Sequence, residues 1–119
     1  MDENTTVGKL REVVDQFVQE RDWQQFHSPK NLVMALSIEV SELMEHFQWI
    51  SNDESQQVVR DDQKRQAITE ELADVTSYVL ALANAMNLDL SSAVQQKMVK
   101  NREKYPAEEF RGRYEKEEQ

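Results

Sequence analysis

Apolar residues recur with helical spacing along three long stretches of this 119-residue chain. In the middle stretch they follow an i, i+4, i+8, i+11, i+15 series, which places them on one face of a continuous helix. The series consists of Leu32, Leu36, Val40, Leu43 and Phe47. Only two glycines and two prolines occur in the whole chain, which leaves little material for the tight turns of a sheet. The pattern therefore predicts an all-α fold.

Breaks in the apolar pattern divide the chain into four predicted helices. Ser28 followed by Pro29 is typical of an N-cap and a first helical position. Asp89 is suited to cap the last helix. The polar stretch SNDESQQ is expected to separate the second helix from the third. The predicted helices cover about residues 6–22, 29–50, 62–86 and 90–104.

The length and the apolar stripes also predict how the helices are organised. We expect a four- to five-helix bundle in residues 1–106, followed by a charged, mobile tail in residues 107–119. The third predicted helix has a wide apolar surface, because Tyr78, Leu80 and Ala81 add to its main stripe. Such a surface predicts packing against another copy of the chain, in a homo-oligomer with a dimer as the minimum.

The composition argues against several classes of protein. The net charge is −9, from 23 acidic and 14 basic residues, so the chain should repel a phosphate backbone and not bind nucleic acid. The absence of cysteine rules out disulfides and thiolate metal sites and fits the reducing cytoplasm. No apolar stretch approaches the roughly 20 residues of a membrane span, and the first residues do not resemble a signal peptide. We therefore expect a cytoplasmic protein with no membrane partner.

Two pairs of carboxylates border the apolar stripes of the second and third predicted helices. Glu39 and Glu42 lie three residues apart on one flank of the second helix. Glu71 and Asp74 repeat this spacing on the third helix, whereas Glu45 is expected to face solvent. If the two helices pack by their apolar stripes in antiparallel orientation, the four carboxylates would face one another.

The pattern alone leaves two interpretations of these pairs open. They can be solvated charges, because 23 of the 119 residues are acidic and such pairs arise by chance. They can also hold a divalent cation, which would compensate like charges placed beside a core interface. A site built only from carboxylates suits Mg²⁺, or Mn²⁺ as a substitute. Neither His27 nor His46 completes the Glu-x-x-His motif of a di-iron bundle, so the second interpretation points to Mg²⁺ and phosphate chemistry.

The fourth predicted helix and four aromatic residues are candidates for binding an anionic substrate. Lys97, Asn101 and Lys104 fall on one helix face and could reach phosphate oxygens, or could simply place cations near the helix C-terminus. Aromatic side chains could stack on a base, or could belong to the core. These aromatic candidates are Trp23, Phe26, Trp49 and Tyr78.

With these residues assembled, the sequence resembles the MazG-like all-α nucleoside triphosphate pyrophosphohydrolases, and within them the dCTP pyrophosphatase branch. The resemblance rests on four ordered blocks: ERDWQQFHSPKNL, EVSELMEHFQW, EELADVTSYVLALA and KMVKNREKYP. They span roughly residues 10–106, most of the chain. The resemblance implies a helical homodimer or homotetramer that uses Mg²⁺ to hydrolyse a nucleoside triphosphate to the monophosphate and pyrophosphate.

The same resemblance implies roles for individual residues. The family's metal ligands, which are also its catalytic residues, match Glu39, Glu42, Glu71 and Asp74. Its phosphate-binding and base-binding positions match Lys97, Asn101, Trp23, Trp49 and Tyr78, with Lys104 and His27 nearby. One departure concerns the first helix, where Val14 stands at the position of a histidine that lies near the substrate in the vertebrate dCTP enzyme.

The hypothesis from the sequence is therefore an Mg²⁺-dependent enzyme that cleaves dCTP or a related deoxynucleoside triphosphate. Two alternatives stay open at this point. The chain could be a non-catalytic acidic helical interaction module, or it could use the same fold to act on dUTP or on nucleoside triphosphates in general. Thermal stabilisation by Mg²⁺ and nucleotide is expected of the enzyme and not of the interaction module. Comparison of substrates distinguishes dCTP from dUTP or general triphosphate hydrolysis.

Overall fold

The computed structural model describes residues 1–114, and this part of the chain contains helices and no strand. The helices are α1 (Val7–Glu20), α2 (Pro29–Glu45), α3 (Asn52–Gln57), α4 (Asp62–Met86), α5 (Leu90–Lys104) and α6 (Ala107–Phe110). Short 3₁₀ turns at Gln24–Phe26 and Val58–Arg60 precede α2 and α4. The predicted all-α class is confirmed. None of the helices in residues 1–114 has the length and the apolar character needed to cross a membrane.

Side-chain caps explain where the long helices begin. The Ser28 hydroxyl accepts a hydrogen bond from the backbone N–H of Asn31 at 3.2 Å, at the predicted start of α2. The Asp89 carboxylate accepts from the N–H of Ser92 at 3.0 Å and begins α5 in the same way. Helix α4 ends at its C-terminus with Asn87, which has the left-handed conformation, with φ of 53°. Both predicted N-caps are confirmed.

The end of α2 was predicted wrongly. The helix ends at Glu45, five residues before the predicted end, and residues 46–50 form turns. In these turns the N–H of Phe47 bonds to the carbonyl of Met44 three residues earlier. The polar stretch that follows is helix α3 and not an irregular break, because Ser51 caps it through the N–H of Glu54 at 3.1 Å.

The predicted tail also contains a helical turn, α6, at Ala107–Phe110. The backbone N–H groups of Glu109 and Phe110 both bond to the carbonyl of Pro106, which stabilises this turn. The last five residues, 115–119, lie outside the described part of the chain. The mobility of the tail therefore stays a prediction.

The chain divides into two compact units, Met1–Asn87 and the residues from Leu88 onward. In the first unit α4 is the central element, and both α1 and α2 pack against it. Its buried apolar residues come from α1, α2, α4 and the 3₁₀ turn before α4: Val18, Leu32, Val58, Leu80, Ala81 and Ala83. In the second unit the rings of Tyr105 and Phe110 meet edge to face at 5.2 Å and join α6 to the end of α5.

Candidate active site

The packing of α2 against α4 brings carboxylates from the two helices together. Glu39 and Glu42 project from α2, and Glu71 projects from α4. One carboxylate oxygen from each of the three lies within 4.8 Å of the others. Glu39 and Glu71 are half-buried, whereas Glu42 is exposed. The fourth predicted member, Asp74, lies three residues beyond Glu71 on α4 and is exposed. We call these four residues the acidic cluster.

Two oxygens of the acidic cluster are buried without a partner. Among the described residues, neither Oε2 of Glu39 nor Oε2 of Glu71 has a hydrogen-bond partner, although both atoms are buried. An unpartnered buried acceptor costs about 1–3 kcal/mol, and more when it is charged. Buried oxygens are nearly always satisfied in folded proteins. The two atoms therefore mark a place where a cationic ligand would improve the stability of the fold.

The electrostatics of the acidic cluster also indicate a place for a cationic ligand. The pKa of Glu39 is raised to about 7, mainly by burial and also by the charge and hydrogen bonding of Glu42 and the charges of Asp74 and Glu71. Burial also raises the pKa of Glu71, again with contributions from Glu42 and Asp74. The nearby His46 acts in the opposite direction on Glu71. The cluster thus holds more negative charge than its surroundings compensate.

This arrangement fits a divalent metal ion. The donor set consists of carboxylate oxygens from two helices, and two of these oxygens are buried and unpartnered. Such oxygens are the ligands that hard cations prefer in proteins. A bound cation would also remove the repulsion that raises the pKa values of Glu39 and Glu71. The structure therefore favours the metal-site interpretation over that of independent solvated charges.

A cavity of about 300 Å³ lies between α1, the first 3₁₀ turn and α4. Its lining combines small apolar residues with four polar ones: Val14, Asp15, Val18, Gln24, His27, Ala81, Asn84 and Ala85. Ala81 and Ala85 follow Asp74 by seven and eleven residues, so all three lie on one face of α4. At 1.5 Å per residue, Ala81 is about 10 Å along the helix axis from Asp74. The cavity and the acidic cluster therefore share one face of α4.

The predicted aromatic and histidine candidates differ in their distance from the cavity and in their exposure. His27 lines the cavity, and Tyr78 is half-buried on α4 between Asp74 and Ala81. Trp23 precedes the cavity residue Gln24 and packs edge to face against Phe17, with a ring separation of 5.6 Å. Trp49 lies in the turn after α2 and is 87% exposed, so it is not a core residue of this chain.

The predicted phosphate-binding residues belong to α5 in the second unit. Lys97 and Lys104 are exposed, and the Lys104 ammonium lies 5.3 Å from the centre of the Tyr105 ring. Asn101 is half-buried, and its amide faces the sulfur of Met98 at 4.0 Å. Because α5 lies in a separate unit, their placement toward the cluster stays a prediction.

The sequence analysis missed three polar residues of the cavity, Asp15, Gln24 and Asn84. Asn84 interrupts an otherwise apolar stretch of α4, ALANAM, and this interruption was the signal available in the sequence. In the structure Asn84 exchanges two hydrogen bonds with Arg11 of α1, at 2.9 and 3.1 Å. A half-buried amide in an apolar stripe is expected to have such a partner, but nothing in the sequence indicates which residue supplies it.

In this all-α fold two packed helices direct carboxylates at one another, beside a cavity on the same helix face. These features define a class of helical proteins with a carboxylate site suited to a metal ion. The chain belongs to the MazG-like family, whose model matches residues 34–118. The resemblance stated from the sequence is thereby confirmed, and the match extends into the predicted tail.

Named relatives are similar over most of this chain. It is 45% identical over 107 residues to dCTP pyrophosphatase 1 of Mus musculus, which is 90% of this chain and 63% of that protein. It is also 45% identical over 102 residues to dCTP pyrophosphatase 1 of Homo sapiens, covering 86% of this chain and 60% of the relative. The chain thus spans less than two thirds of the length of these relatives.

A solved structure supports the same fold. A pyrophosphatase from Archaeoglobus fulgidus DSM 4304 is similar to this chain with a TM-score of 0.77 and 40% sequence identity. The similarity covers 83% of this chain and 91% of the archaeal one. The two chains therefore share this helical fold over most of their lengths.

Proposed function

We propose that this protein is an Mg²⁺-dependent nucleotide pyrophosphohydrolase that cleaves dCTP, or a related deoxynucleoside triphosphate, to the monophosphate and pyrophosphate. The observation on which the proposal depends is the convergence of three carboxylates within 4.8 Å, two of them with buried, unpartnered oxygens. Family membership and the names of the relatives support the choice of reaction.

The acidic cluster would hold Mg²⁺, with Mn²⁺ as a substitute. Glu39, Glu42 and Glu71 supply the converging oxygens, and Asp74 adds a fourth carboxylate one turn further along α4. Mg²⁺ prefers carboxylate oxygens and commonly shares its remaining positions with substrate phosphates. When bound, the metal supplies charge neutralisation to the triphosphate as the phosphoanhydride bond breaks.

We assign Glu42 as the general base. It is the exposed member of the three converging carboxylates, so water can reach it, and its side chain interacts with both Glu39 and Glu71. Water attacks the α-phosphorus and forms a new P–O bond while Glu42 takes its proton. The bond from the α-phosphorus to the bridging oxygen breaks, and pyrophosphate leaves with the bonding electron pair.

Basic residues and the cavity complete the substrate site in this proposal. Lys97, Asn101 and Lys104 of α5 would donate hydrogen bonds to the phosphate oxygens. The cavity would take the base, because it shares a face of α4 with the cluster and is lined by polar groups from three elements. His27 lines this cavity, and Tyr78 lies on the face of α4 between the cavity and Asp74.

We further propose that the active form is a homodimer or homotetramer. Large apolar side chains of α2 and α4 are exposed in the single chain, including Ile38 at 60%, Met44 at 53% and Leu72 at 54%. Exposed apolar side chains on this scale are typical of surfaces that another subunit covers. Trp49, at 87% exposure, would contact a neighbouring subunit or its substrate.

The enzyme would act on free nucleotides in the cytoplasm, with no nucleic-acid or membrane partner.

Pyrophosphate release from a panel of deoxynucleoside and nucleoside triphosphates with Mg²⁺ tests the proposal. Glu42→Ala and Asp74→Ala should lower kcat by about 100-fold or more, because each removes a catalytic or metal-binding carboxylate. Glu45→Ala is the matched control, since Glu45 is an exposed residue of α2 outside the cluster.

Release that is equal for the native chain and the two cluster variants would contradict the assigned site. Absence of release from every nucleotide by the folded native chain would favour the non-catalytic interaction module. A preference for dUTP or equal use of all triphosphates would keep the reaction and change the substrate.

A further inference from the structure

Arg11 of α1 and Asn84 of α4 form a reciprocal pair of hydrogen bonds at the cavity. The Arg11 Nε–H donates to Oδ1 of Asn84 at 2.9 Å, and Nδ2 of Asn84 donates to the backbone carbonyl of Arg11 at 3.1 Å. Both residues are half-buried. Asn84 lines the cavity, so this pair connects the helix α1 to a polar group that faces the proposed base site.

These two bonds fix the orientation of the Asn84 amide. The Arg11 Nε–H can only donate, and the Arg11 carbonyl can only accept. Rotation of the amide by 180° would place its NH₂ group against the N–H and its oxygen against the carbonyl, which makes two repulsive pairs. The amide therefore cannot exchange the positions of its donor and its acceptor.

A fixed amide distinguishes bases that a rotating one would not. Each Asn side chain has two N–H donors and an oxygen with two acceptor positions, so one donor and one acceptor position remain beyond the bonds to Arg11. Cytosine presents an amino donor at C4 next to the N3 acceptor, and uracil presents the reverse, a C4 carbonyl next to an N3–H donor. A freely rotating amide could match either edge by turning over, but an amide held by Arg11 matches only one of them.

Asp15 decides which edge is favoured. It lines the same cavity, one turn after Arg11 on α1, and accepts a hydrogen bond from the Gln19 amide. A carboxylate offers only acceptors to a base. It therefore attracts an exocyclic amino group and repels a carbonyl oxygen at the same place. With an amino group facing Asp15, the adjacent ring nitrogen is an acceptor, and it matches the remaining N–H of Asn84.

We infer that Asp15 and Asn84 recognise the edge of the base, and that Arg11 is a positioning residue that holds the Asn84 amide. The site then selects a base with an amino group over a base with a carbonyl at the same position. This inference rests on the proposed function, because it concerns the substrate of that reaction. It assigns base selectivity to hydrogen bonds between α1 and α4, separate from the acidic cluster that performs the hydrolysis.

Arg11→Met tests the inference, because methionine keeps much of the side-chain volume and removes the Nε–H donor. The readout is the ratio of kcat/KM for dCTP to kcat/KM for dUTP, measured on one preparation of each variant. A ratio of two substrates cancels the fraction of folded protein, so a purely structural role of Arg11 would not change it. We expect the native chain to prefer dCTP, and the variant to lose roughly tenfold of that preference.

Two further variants sharpen the result. Arg11→Lys keeps a cation but has no N–H at the Nε position, and it should also lower the ratio. Lys9→Met is the control, because Lys9 is an exposed residue of α1 that pairs with Glu12 on the helix surface. It should leave the ratio unchanged.

Each outcome has a separate meaning. If the native chain prefers dCTP and both Arg11 variants lower the ratio, the inference holds. If the native chain releases pyrophosphate without preferring dCTP over dUTP, or if the Arg11 variants keep the native ratio, the inference is overturned and the proposed reaction stands. If the native chain hydrolyses no triphosphate, the proposed function itself fails.

Discussion

Replacement of Glu42 by glutamine should make the metal-free protein more stable while it abolishes activity. The side chain keeps its size and loses its charge, so the change removes the repulsion of Glu42 on Glu39 and Glu71. Both of these half-buried carboxyls have pKa values raised partly by Glu42. Most point substitutions leave the stability of a protein unchanged or lower it, so a gain in stability would be a specific signature of the cluster.

The size of the effect follows from the geometry. The carboxylate oxygens of Glu39 and Glu42 lie within 4.8 Å of each other. Two unit charges at this distance repel by about 1 kcal/mol in a medium with the dielectric constant of water, which is the appropriate limit for the exposed Glu42. The repulsion between Glu42 and Glu71 acts in the same direction. We therefore expect the free energy of unfolding to rise by about 1 kcal/mol, and Tm by several degrees.

The assay is urea unfolding of the metal-free protein at low ionic strength and at about pH 8, above the pKa of about 7 of Glu39. Glu45→Gln is the matched control: it removes the same charge from the same helix, three residues away and outside the cluster, and should change stability by less than about 0.5 kcal/mol. Repeating the measurement with Mg²⁺ should stabilise the native chain and the control more than Glu42→Gln.

One result would refute this reasoning. If Glu42→Gln and Glu45→Gln have the same stability, with or without Mg²⁺, the carboxylates of the acidic cluster do not repel one another. The cluster would then be a set of independent solvated charges, and the assignment of a metal site would lose its physical basis.

Two further predictions concern stability. Because the pKa of Glu39 is about 7 in the folded chain against an ordinary value of 4.5, the folded state binds the additional proton between these values. The contribution of Glu39 to the free energy of unfolding is therefore complete below about pH 4.5 and is lost as the pH rises through about 7. Urea midpoints of the metal-free native protein should fall over this range. They should change less in Glu39→Gln. Separately, Asp61 caps α4 by accepting from the N–H groups of Gln63 and Lys64 at 3.1 and 3.2 Å. Asp61→Ala should lower the free energy of unfolding by about 1 kcal/mol while Asp61→Asn retains most of it, and equal stability of the two variants would contradict the role of the cap.

Local sequence determined the beginnings of the helices and the candidates for the acidic site. Ser28 with Pro29, and Asp89, predicted the starts of α2 and α5, because a cap depends on side chains within three residues of it. The predicted bounds of the longest helix, α4, agree with Asp62–Met86, because apolar residues recur with the helix period along this stretch. Helical spacing was also sufficient to place both acidic pairs beside apolar stripes, since that spacing depends only on the helix period.

The tertiary structure decided what lies between the helices. It brought Glu39 of α2 and Glu71 of α4 into one cluster with Glu42, and it left Trp49 exposed in a turn after α2. It also joined Arg11 to Asn84, which are 73 residues apart, at a cavity that no local pattern indicates. Helix periodicity states which side chains share a face, but it contains no information about the partner that faces them. That partner is chosen by the packing of whole helices, where burial and hydrogen bonding across the interface are satisfied together.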